Sequence, residues 1–172
     1  MQQQDEEDLG IVDALAQLAF VVQGKLARHA AARDLSMIQA RLLGVLRDRE
    51  PTMQELARLL DLDKSSVTGL IDRAEKRGLV QRAPSGDDRR AIRVRLTKSG
   101  RQIATDVRRL FQADVASATQ CLSSAESKRL STLATRIVKS SAHAGGLPRM
   151  LPGATSVTRV AARLPGETAT VR

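Results

Sequence analysis

The sequence contains no tryptophan and no tyrosine, and Phe20 and Phe111 are its only phenylalanines. Hydrophobic residues nevertheless make up 42% of its 172 residues. A core must therefore be built almost entirely from leucine, isoleucine, valine, alanine and methionine, and such a composition favours packed helices. The length suits one compact domain, or one domain with an arm.

Cysteine and histidine, two frequent metal ligands, are also scarce. Because Cys121 is the only cysteine, the sequence excludes an intramolecular disulfide and a cysteine-based zinc site. His29 and His143 are isolated, and neither belongs to a pattern that pairs a nucleophile with a base. We expect no metal site, no cofactor and no enzymatic activity. A single thiol fits a reducing compartment.

The sequence also lacks the usual signs of a membrane or secreted protein. Its first residues, Met1–Asp8, are acidic, whereas a secretory signal begins with basic residues. No apolar run approaches the roughly 18 residues that a spanning helix needs. From this pattern we expect a cytoplasmic protein with no membrane partner.

What the chain has in excess is positive charge. Lysine and arginine number 28 against 19 aspartates and glutamates, which gives a formal net charge of +9 and a pI near 10.9. Such an excess attracts polyanions and accelerates encounter with them. Nucleic acid is the first candidate partner, and an anionic membrane surface is the second.

The N-terminal part of the chain predicts two helices. Apolar residues recur every three or four positions from Leu9 onward, which indicates a long helix that ends near Ala32. Ser36 and Gln39 have the spacing of a capping box, so a second helix is predicted from there to a point before Pro51.

The C-terminal part predicts two further helices and a tail. Thr97 is suited to cap a long helix that reaches residue 121, and Ser123 with Glu126 has the spacing that opens a last helix. From Ala144 onward the sequence is dominated by glycine, proline, alanine and threonine without a sustained period. This composition predicts a flexible tail.

The central part predicts two short helices separated by a three-residue break. Thr52 and Glu55 form another capping-box pair, and the break falls at Asp61–Asp63. Asp63 is suited to cap the second helix, and Gly78 is suited to end it. The order helix, turn, helix is the one that many DNA-binding proteins use.

A hairpin is predicted directly after this pair of helices. Leu79–Arg82 reads as a short strand, Ala83–Asp88 supplies turn residues, and Arg90–Leu96 alternates between apolar and basic side chains. The hairpin therefore has one arginine-rich face.

The second helix of the pair is predicted to lie in a major groove with its N-terminal residues facing the base edges. Small hydroxyls there can approach bases or phosphates, and a helix N-terminus favours phosphate oxygens. Gly69 costs about 1 kcal/mol of helix propensity relative to alanine, which fits a close approach to DNA. The alternative is an ordinary solvated helix surface. The predicted DNA contacts on the two helices are Thr52, Gln54, Lys64, Ser65, Ser66, Thr68, Gly69, Arg73 and Lys76.

These motifs together resemble the MarR family of bacterial winged helix-turn-helix regulators, over roughly residues 9–142. The likeness rests on Leu56-Ala57, Ser66-Val67-Thr68, Ile71-Asp72-Arg73, Gly78-Leu79-Val80, Asp88-Arg89-Arg90 and Leu96-Thr97-Lys98-Ser99-Gly100. The resemblance implies a mostly α (α+β) fold in which long N- and C-terminal helices form a dimerisation domain. Residues 9–34 and 101–142 would form that region, 35–100 the winged helix-turn-helix domain, and 143–172 the tail.

The resemblance further implies how the wing works. Arg90 would enter the minor groove, where narrowing at A·T-rich DNA deepens the negative potential, and Arg89 would be a second wing contact. Asp88 would orient Arg90 or Arg73 by a salt bridge, because phosphate repels a carboxylate. Two winged domains of a homodimer would thus read a pseudo-palindromic double-stranded DNA operator.

A small-molecule effector is also implied, in a pocket between the dimerisation helices and the winged domain. The scarcity of aromatic residues favours an aliphatic pocket with an arginine such as Arg28 or Arg33. The resemblance thus implies a ligand-responsive repressor. Two alternatives stay open: a winged-helix protein interaction module, and a redox regulator that uses Cys121. The interaction module leaves the arginine-rich hairpin unexplained. In redox-sensing relatives the reactive cysteine lies near the N-terminal helix, whereas Cys121 lies at the junction of the last two helices.

Overall fold

The computed structural model describes residues 8–84 and 92–143. Within these ranges the chain forms six helices and two antiparallel strands, which confirms the predicted, mostly helical fold class. The bounds of the elements are Gly10–Ala31 (α1), Met37–Leu46 (α2), Met53–Leu60 (α3), Lys64–Lys76 (α4), Val80–Pro84 (β1), Ile92–Leu96 (β2), Lys98–Ala118 (α5) and Ser124–His143 (α6).

Side-chain caps start α2 and α3 where the sequence predicts them. Gln39 N donates to Ser36 Oγ at 3.3 Å, and Ser36 N donates to Gln39 Oε1 at 3.0 Å. Thr52 and Glu55 make the same exchange, with Thr52 N 2.7 Å from Glu55 Oε2. The bonds from Thr52 hold the pKa of Glu55 below its usual value, since the charged carboxylate accepts them. Both capping boxes satisfy backbone N–H groups that a helix start leaves free.

The break between α3 and α4 is fixed by two aspartates. Asp61 adopts the left-handed conformation, with φ 54°, at the end of α3. Asp63 then caps α4, because its Oδ1 accepts from Ser66 N at 2.8 Å. Aspartate tolerates the left-handed region better than most residues and is a favoured N-cap. The chain therefore ends one helix and begins the next within three residues.

A purely aliphatic core lies beneath α2, α3, α4 and the strands. The inward positions of α4 are all buried: Val67, Leu70, Ile71 and Ala74. Leu42 from α2, Leu56 from α3 and Val94 from β2 are completely buried in the same cluster. Burial of such side chains stabilises a fold by about 1.5–3 kcal/mol each, so this face holds α4 in place.

The sheet is longer than the sequence predicts. Strand β1 pairs with β2 from Val80 opposite Leu96 to Pro84 opposite Ile92. The prediction that a turn begins at Ala83 is wrong, since both Ala83 and Pro84 are paired. Proline is tolerated at the end of an edge strand, where a missing N–H costs little. Val94 N also donates to Pro51 O at 2.9 Å, which ties β2 to the segment before α3.

The two C-terminal helices meet at a turn that also differs from expectation. Helix α5 ends at Ala118 rather than residue 121, and Thr119 Oγ1 donates back to Val115 O at 3.0 Å. That bond competes with continuation of the helix. The predicted cap of α6 is confirmed, because Ser123 N donates to Glu126 Oε2 at 2.8 Å and Glu126 N donates to Ser123 Oγ.

Helix α1 packs on α5, and ion pairs join the two helices. Asp114 Oδ2 lies 3.2 Å from Arg28 Nη2 and 3.0 Å from His29 Nε2. Nearer the end of α1, Arg33 Nη1 lies 3.0 Å from Asp106 Oδ2. These pairs set the register of α1 against α5 at the C-terminal end of α1.

The terminal helices expose many large apolar side chains. Helix α1 contains an 18-residue window of mean hydropathy 1.3, so it is long and apolar enough to cross a membrane by length and composition. The expectation that no apolar run reaches this length is therefore wrong. The exposed large apolar residues of the two ends are Leu9, Ile11, Val12, Leu15, Leu18, Phe20 and Val21 near α1, and Leu130, Leu133, Ile137 and Val138 on α6.

Gly100, at the start of α5, lies where the wing meets that helix. A Cβ placed on Gly100 would be only 1.9 Å from Leu79 O. That carbonyl accepts from Thr97 N at 3.1 Å, and Thr97 Oγ1 accepts from Gly100 N at 3.0 Å. Leu79 therefore cannot move away without breaking the bonds that start α5.

Substitution Gly100→Ala should lower the stability of the protein, because the added methyl group would clash with backbone. Overpacking of this kind costs about 1–3 kcal/mol, which lowers the melting temperature of a chain of this size by about 3–10 °C. Thermal unfolding followed by circular dichroism measures the shift. Gly24→Ala, in open space within α1, is the matched control and should not lower the melting temperature. Equal melting temperatures for Gly100→Ala and the parent protein would contradict the clash.

Candidate nucleic-acid interface

One side of α4 is buried and the other carries the predicted DNA contacts. Lys64, Ser65, Ser66, Thr68, Arg73 and Lys76 are exposed, and Gly69 is half-buried. The side chains of Lys64, Arg73 and Lys76 make no hydrogen bond or ion pair with the described part of the chain. The structure thus brings these residues together on one accessible face, and their contact with DNA stays a prediction.

The hydroxyls at the start of α4 are already engaged within the chain. Ser65 Oγ donates to Asp63 Oδ1 at 2.5 Å, and Ser66 Oγ donates to Asp63 Oδ2 at 2.6 Å. These bonds, that of Ser65 first, hold the pKa of Asp63 far below its usual value. Asp63 thus places a negative charge at the N-terminus of α4, where the sequence predicts a phosphate contact, and that contact stays a prediction. Both serines instead offer acceptor lone pairs outward.

Arg73 folds back along α4 toward those serines. A Cβ placed on Gly69 would lie 3.3 Å from Arg73 Nη1, so the guanidinium lies across the glycine. A groove beside it is lined by Ser65, Ser66 and Arg73 together with Ile38 and Leu62. Arg73 therefore reaches the N-terminal half of the helix. The space at Gly69 accommodates this arginine, an interpretation that the sequence alone did not suggest.

A salt-bridge network that sequence reasoning missed joins α4 to the wing. Arg82 on β1 pairs with Asp72 through Nη2 at 2.6 Å and with Glu75 through Nη1, and Arg82 N donates to Glu75 Oε1 at 2.9 Å. The hydrogen bond that Arg82 donates to Asp72 is the largest cause of the raised pKa of Arg82. The network offsets one of the two negative charges of Asp72 and Glu75 and fixes β1 against α4. The only sign of this network in the sequence is that Asp72 and Glu75 are three residues apart on one helix.

The two residues predicted as DNA contacts at the start of α3 differ in exposure. Gln54 is exposed, but Thr52 is half-buried and its hydroxyl donates to Glu55 Oε2 at 3.0 Å. A groove of about 410 Å³ at this corner gathers Arg49, Arg58 and Arg93 around Pro51. Arg93 Nη1 donates to Glu50 O at 2.9 Å, whereas Arg49 and Arg58 are exposed. These two arginines add positive charge around α3, in a groove that Glu50 and Glu55 also line.

The wing tip lies outside the described residues. The predicted roles of Arg89 and Arg90 as DNA contacts and of Asp88 in orienting an arginine therefore remain sequence-based expectations.

A second cavity, of about 240 Å³, lies between α1, α2 and α5. Its wall is mainly apolar and includes Leu26, Leu43, Val107 and Phe111. Its charged residues are three arginines. Arg47 pairs with Asp48, while Arg41 and Arg108 have no partner among the described residues.

The arginines suggested from the sequence for such a pocket do not line this cavity. Arg28 and Arg33 are instead paired with acids of α5.

Cys121 is exposed in the turn after α5, with Sγ 3.9 Å from Ala118 O. Over residues 8–84 and 92–143, no group of three or more His, Cys, Asp or Glu side chains is placed to hold a metal ion.

Comparison with known proteins gives consistent results. Residues 33–91 match a sequence model of the MarR family. The chain is 33% identical over 96 residues to the HTH-type transcriptional repressor NicR of Pseudomonas putida, which covers 51% of this chain and 61% of NicR. Among solved structures, apo MarR from E. coli matches with a TM-score of 0.60 and 26% identity, covering 74% of this chain and 98% of MarR.

A MepR variant from S. aureus bound to an oligodeoxyribonucleotide shares the fold, with a TM-score of 0.54 and 20% identity over 74% of this chain and 94% of that one. The match to NicR leaves more than a third of its length outside the aligned region. The winged-helix fold, the family model matched over residues 33–91 and the likeness to MarR together show that the chain is similar to the MarR family of winged helix-turn-helix regulators.

Proposed function

We propose that the protein is a transcriptional regulator that binds double-stranded DNA in a sequence-specific manner. The observation that carries the proposal is the exposed face of α4, where Lys64, Arg73 and Lys76 contact no acid of residues 8–84 and 92–143 and lie opposite a fully buried aliphatic face. A rigid helix with unpaired cations and hydroxyl acceptors is suited to enter a major groove. Arg49 and Arg58 extend the positive surface toward the flanking phosphates.

The protein acts, in this proposal, as a homodimer in the cytoplasm. Phe20 and Val12 on α1 are each 76% exposed, and α6 exposes Leu130, Leu133 and Ile137. So many exposed apolar side chains on two helices favour an interface rather than a surface in water. Residues 9–34 and 101–142 would form the dimer, so that two copies of residues 35–100 read the two halves of a pseudo-palindrome.

We further propose that a small anionic ligand regulates DNA binding, and that the protein is a repressor. The cavity between α1, α2 and α5 supports the first point, because an apolar wall with unpartnered Arg41 and Arg108 suits a small molecule that joins an apolar body to a carboxylate. A single phenylalanine in the wall favours an aliphatic body. The likeness to NicR, a repressor by name, supports the second point.

DNA binding should fall steeply with salt. If the interface neutralises six to ten phosphates, affinity drops by roughly 10³–10⁵ between 50 and 200 mM salt. Fluorescence anisotropy with duplexes selected from a random library measures this, and the selected sequences should be pseudo-palindromic. Absence of duplex binding even at low salt would overturn the regulator and favour a protein interaction module.

Gly69 and Arg73 should act as one unit in that binding. Arg73→Ala is expected to cost about 1–3 kcal/mol of binding free energy if the guanidinium reads a base. Gly69→Ala should weaken binding less, by displacing the guanidinium, although alanine raises helix stability by up to about 1 kcal/mol. In the Arg73→Ala background the Gly69 substitution should then change affinity little. If the two single losses of binding free energy add in the double variant, the two residues act independently.

The cavity should bind a carboxylate more tightly than a neutral ligand of the same shape. Hexanoate is expected to bind about tenfold more tightly than hexanamide, because a charge-assisted bond to Arg108 exceeds a neutral one. Arg108→Gln should abolish the difference, while Arg109→Gln, on the exposed side of α5, should preserve it. Isothermal titration calorimetry provides the constants. Equal binding of acid and amide, or no binding of either at millimolar concentration, would refute the anionic ligand.

A further inference from the structure

Arg77, the residue that follows α4, connects the candidate recognition helix to the N-terminal helix. Its Nη1 donates to Asp34 O at 2.6 Å and its Nη2 donates to Arg33 O at 3.3 Å. Helix α4 otherwise packs mainly on α3 and β1. These two bonds therefore join parts of the chain that lie 43 and 44 residues apart.

The carbonyls that Arg77 contacts belong to the turn that ends α1. Arg33 N and Asp34 N donate back to Ala30 O and Ala31 O, and Asp34 has φ 54°. Carbonyls at a helix C-terminus lack partners within the helix and carry its partial negative charge. A guanidinium is well suited to such a position, because its planar fork donates to two acceptors at once.

The same turn is anchored on its other side to α5. Arg33 Nη1 lies 3.0 Å from Asp106 Oδ2. A continuous set of polar contacts thus runs from the end of α4, through the turn after α1, to α5. Since α1 and α5 belong to the proposed dimer region, the contacts join the DNA-reading part of the fold to the part that sets its distance from a second copy.

We propose that Arg77 is a positioning residue that fixes the orientation of α4 relative to the α1 and α5 pair, and thereby the half-site spacing that the dimer accepts. The proposal rests on the proposed function. Arg77 acts through two main-chain carbonyls and does not touch DNA. Removing its side chain lets α4 and its wing move relative to α1 and α5, so the two recognition helices lose a fixed separation.

The first test measures geometry without DNA. Spin labels are attached at Lys64→Cys on α4 and Gln112→Cys on α5 in a Cys121→Ser chain, which is diluted with unlabelled protein so that only intrachain distances are recorded. The distance distribution by pulsed electron resonance should broaden on Arg77→Ala. Arg109→Ala, which removes an exposed arginine without a partner in the described ranges, should leave it unchanged. An unchanged distribution in Arg77→Ala would overturn the proposal.

The second test measures binding to selected duplexes with two half-sites, with spacing altered by one base pair, and to a single half-site. Arg77→Ala should weaken binding to the preferred spacing by about tenfold, reduce discrimination between spacings, and leave the single half-site affinity and the salt slope unchanged. A salt slope smaller by about one would instead identify Arg77 as a phosphate contact. If the parent protein binds no duplex, the proposed function fails, and the spin-label distances still decide the role of Arg77.

Discussion

Burial of one aliphatic face of α4 is the constraint on which the rest of the structure depends. Val67, Leu70, Ile71 and Ala74 lock the helix into a core that α2, α3 and both strands complete. Because four inward positions leave a helix no rotational freedom, the residues between them are obliged to face solvent. The polar face of α4 is thus presented as a rigid surface, and the chain needs no aromatic side chain to build it.

The positive charge of this surface is maintained by the way the chain uses its acids. Asp63 caps α4, Asp72 and Glu75 bind Arg82, and Asp106 and Asp114 hold α1 against α5. Asp72, Glu75, Asp106 and Asp114 each contact a cation, whereas Lys64, Arg73 and Lys76 are exposed and contact no acid among the described residues. Paired charges contribute little to the field at a distance, so the net charge of +9 is expressed on the free cations.

The same pairing explains where sequence reasoning succeeded and where it did not. Local signals such as the Thr52 and Glu55 capping box act over three residues, and the structure confirms them. Asp63 also accepts from the hydroxyls of Ser65 and Ser66, which are two and three residues away. The sequence predicted only its bond from a backbone N–H. Arg77 finds its partners 43 and 44 residues away, and Arg82 meets Asp72 and Glu75 only because β1 folds back on α4. No spacing rule identifies such bonds in advance.

Periodicity, caps and turn residues by themselves determined the order of helices and strands, the inward face of α4 and the family resemblance, because each depends on neighbours within one or two turns. Tertiary structure decided the rest. It extended the hairpin to Pro84 through pairing with Ile92, folded Arg73 over Gly69, and placed Arg41 and Arg108, rather than Arg28 and Arg33, at an apolar cavity. The physical reason is that a long charged side chain goes to whichever acid, carbonyl or open space the packed helices bring within its reach.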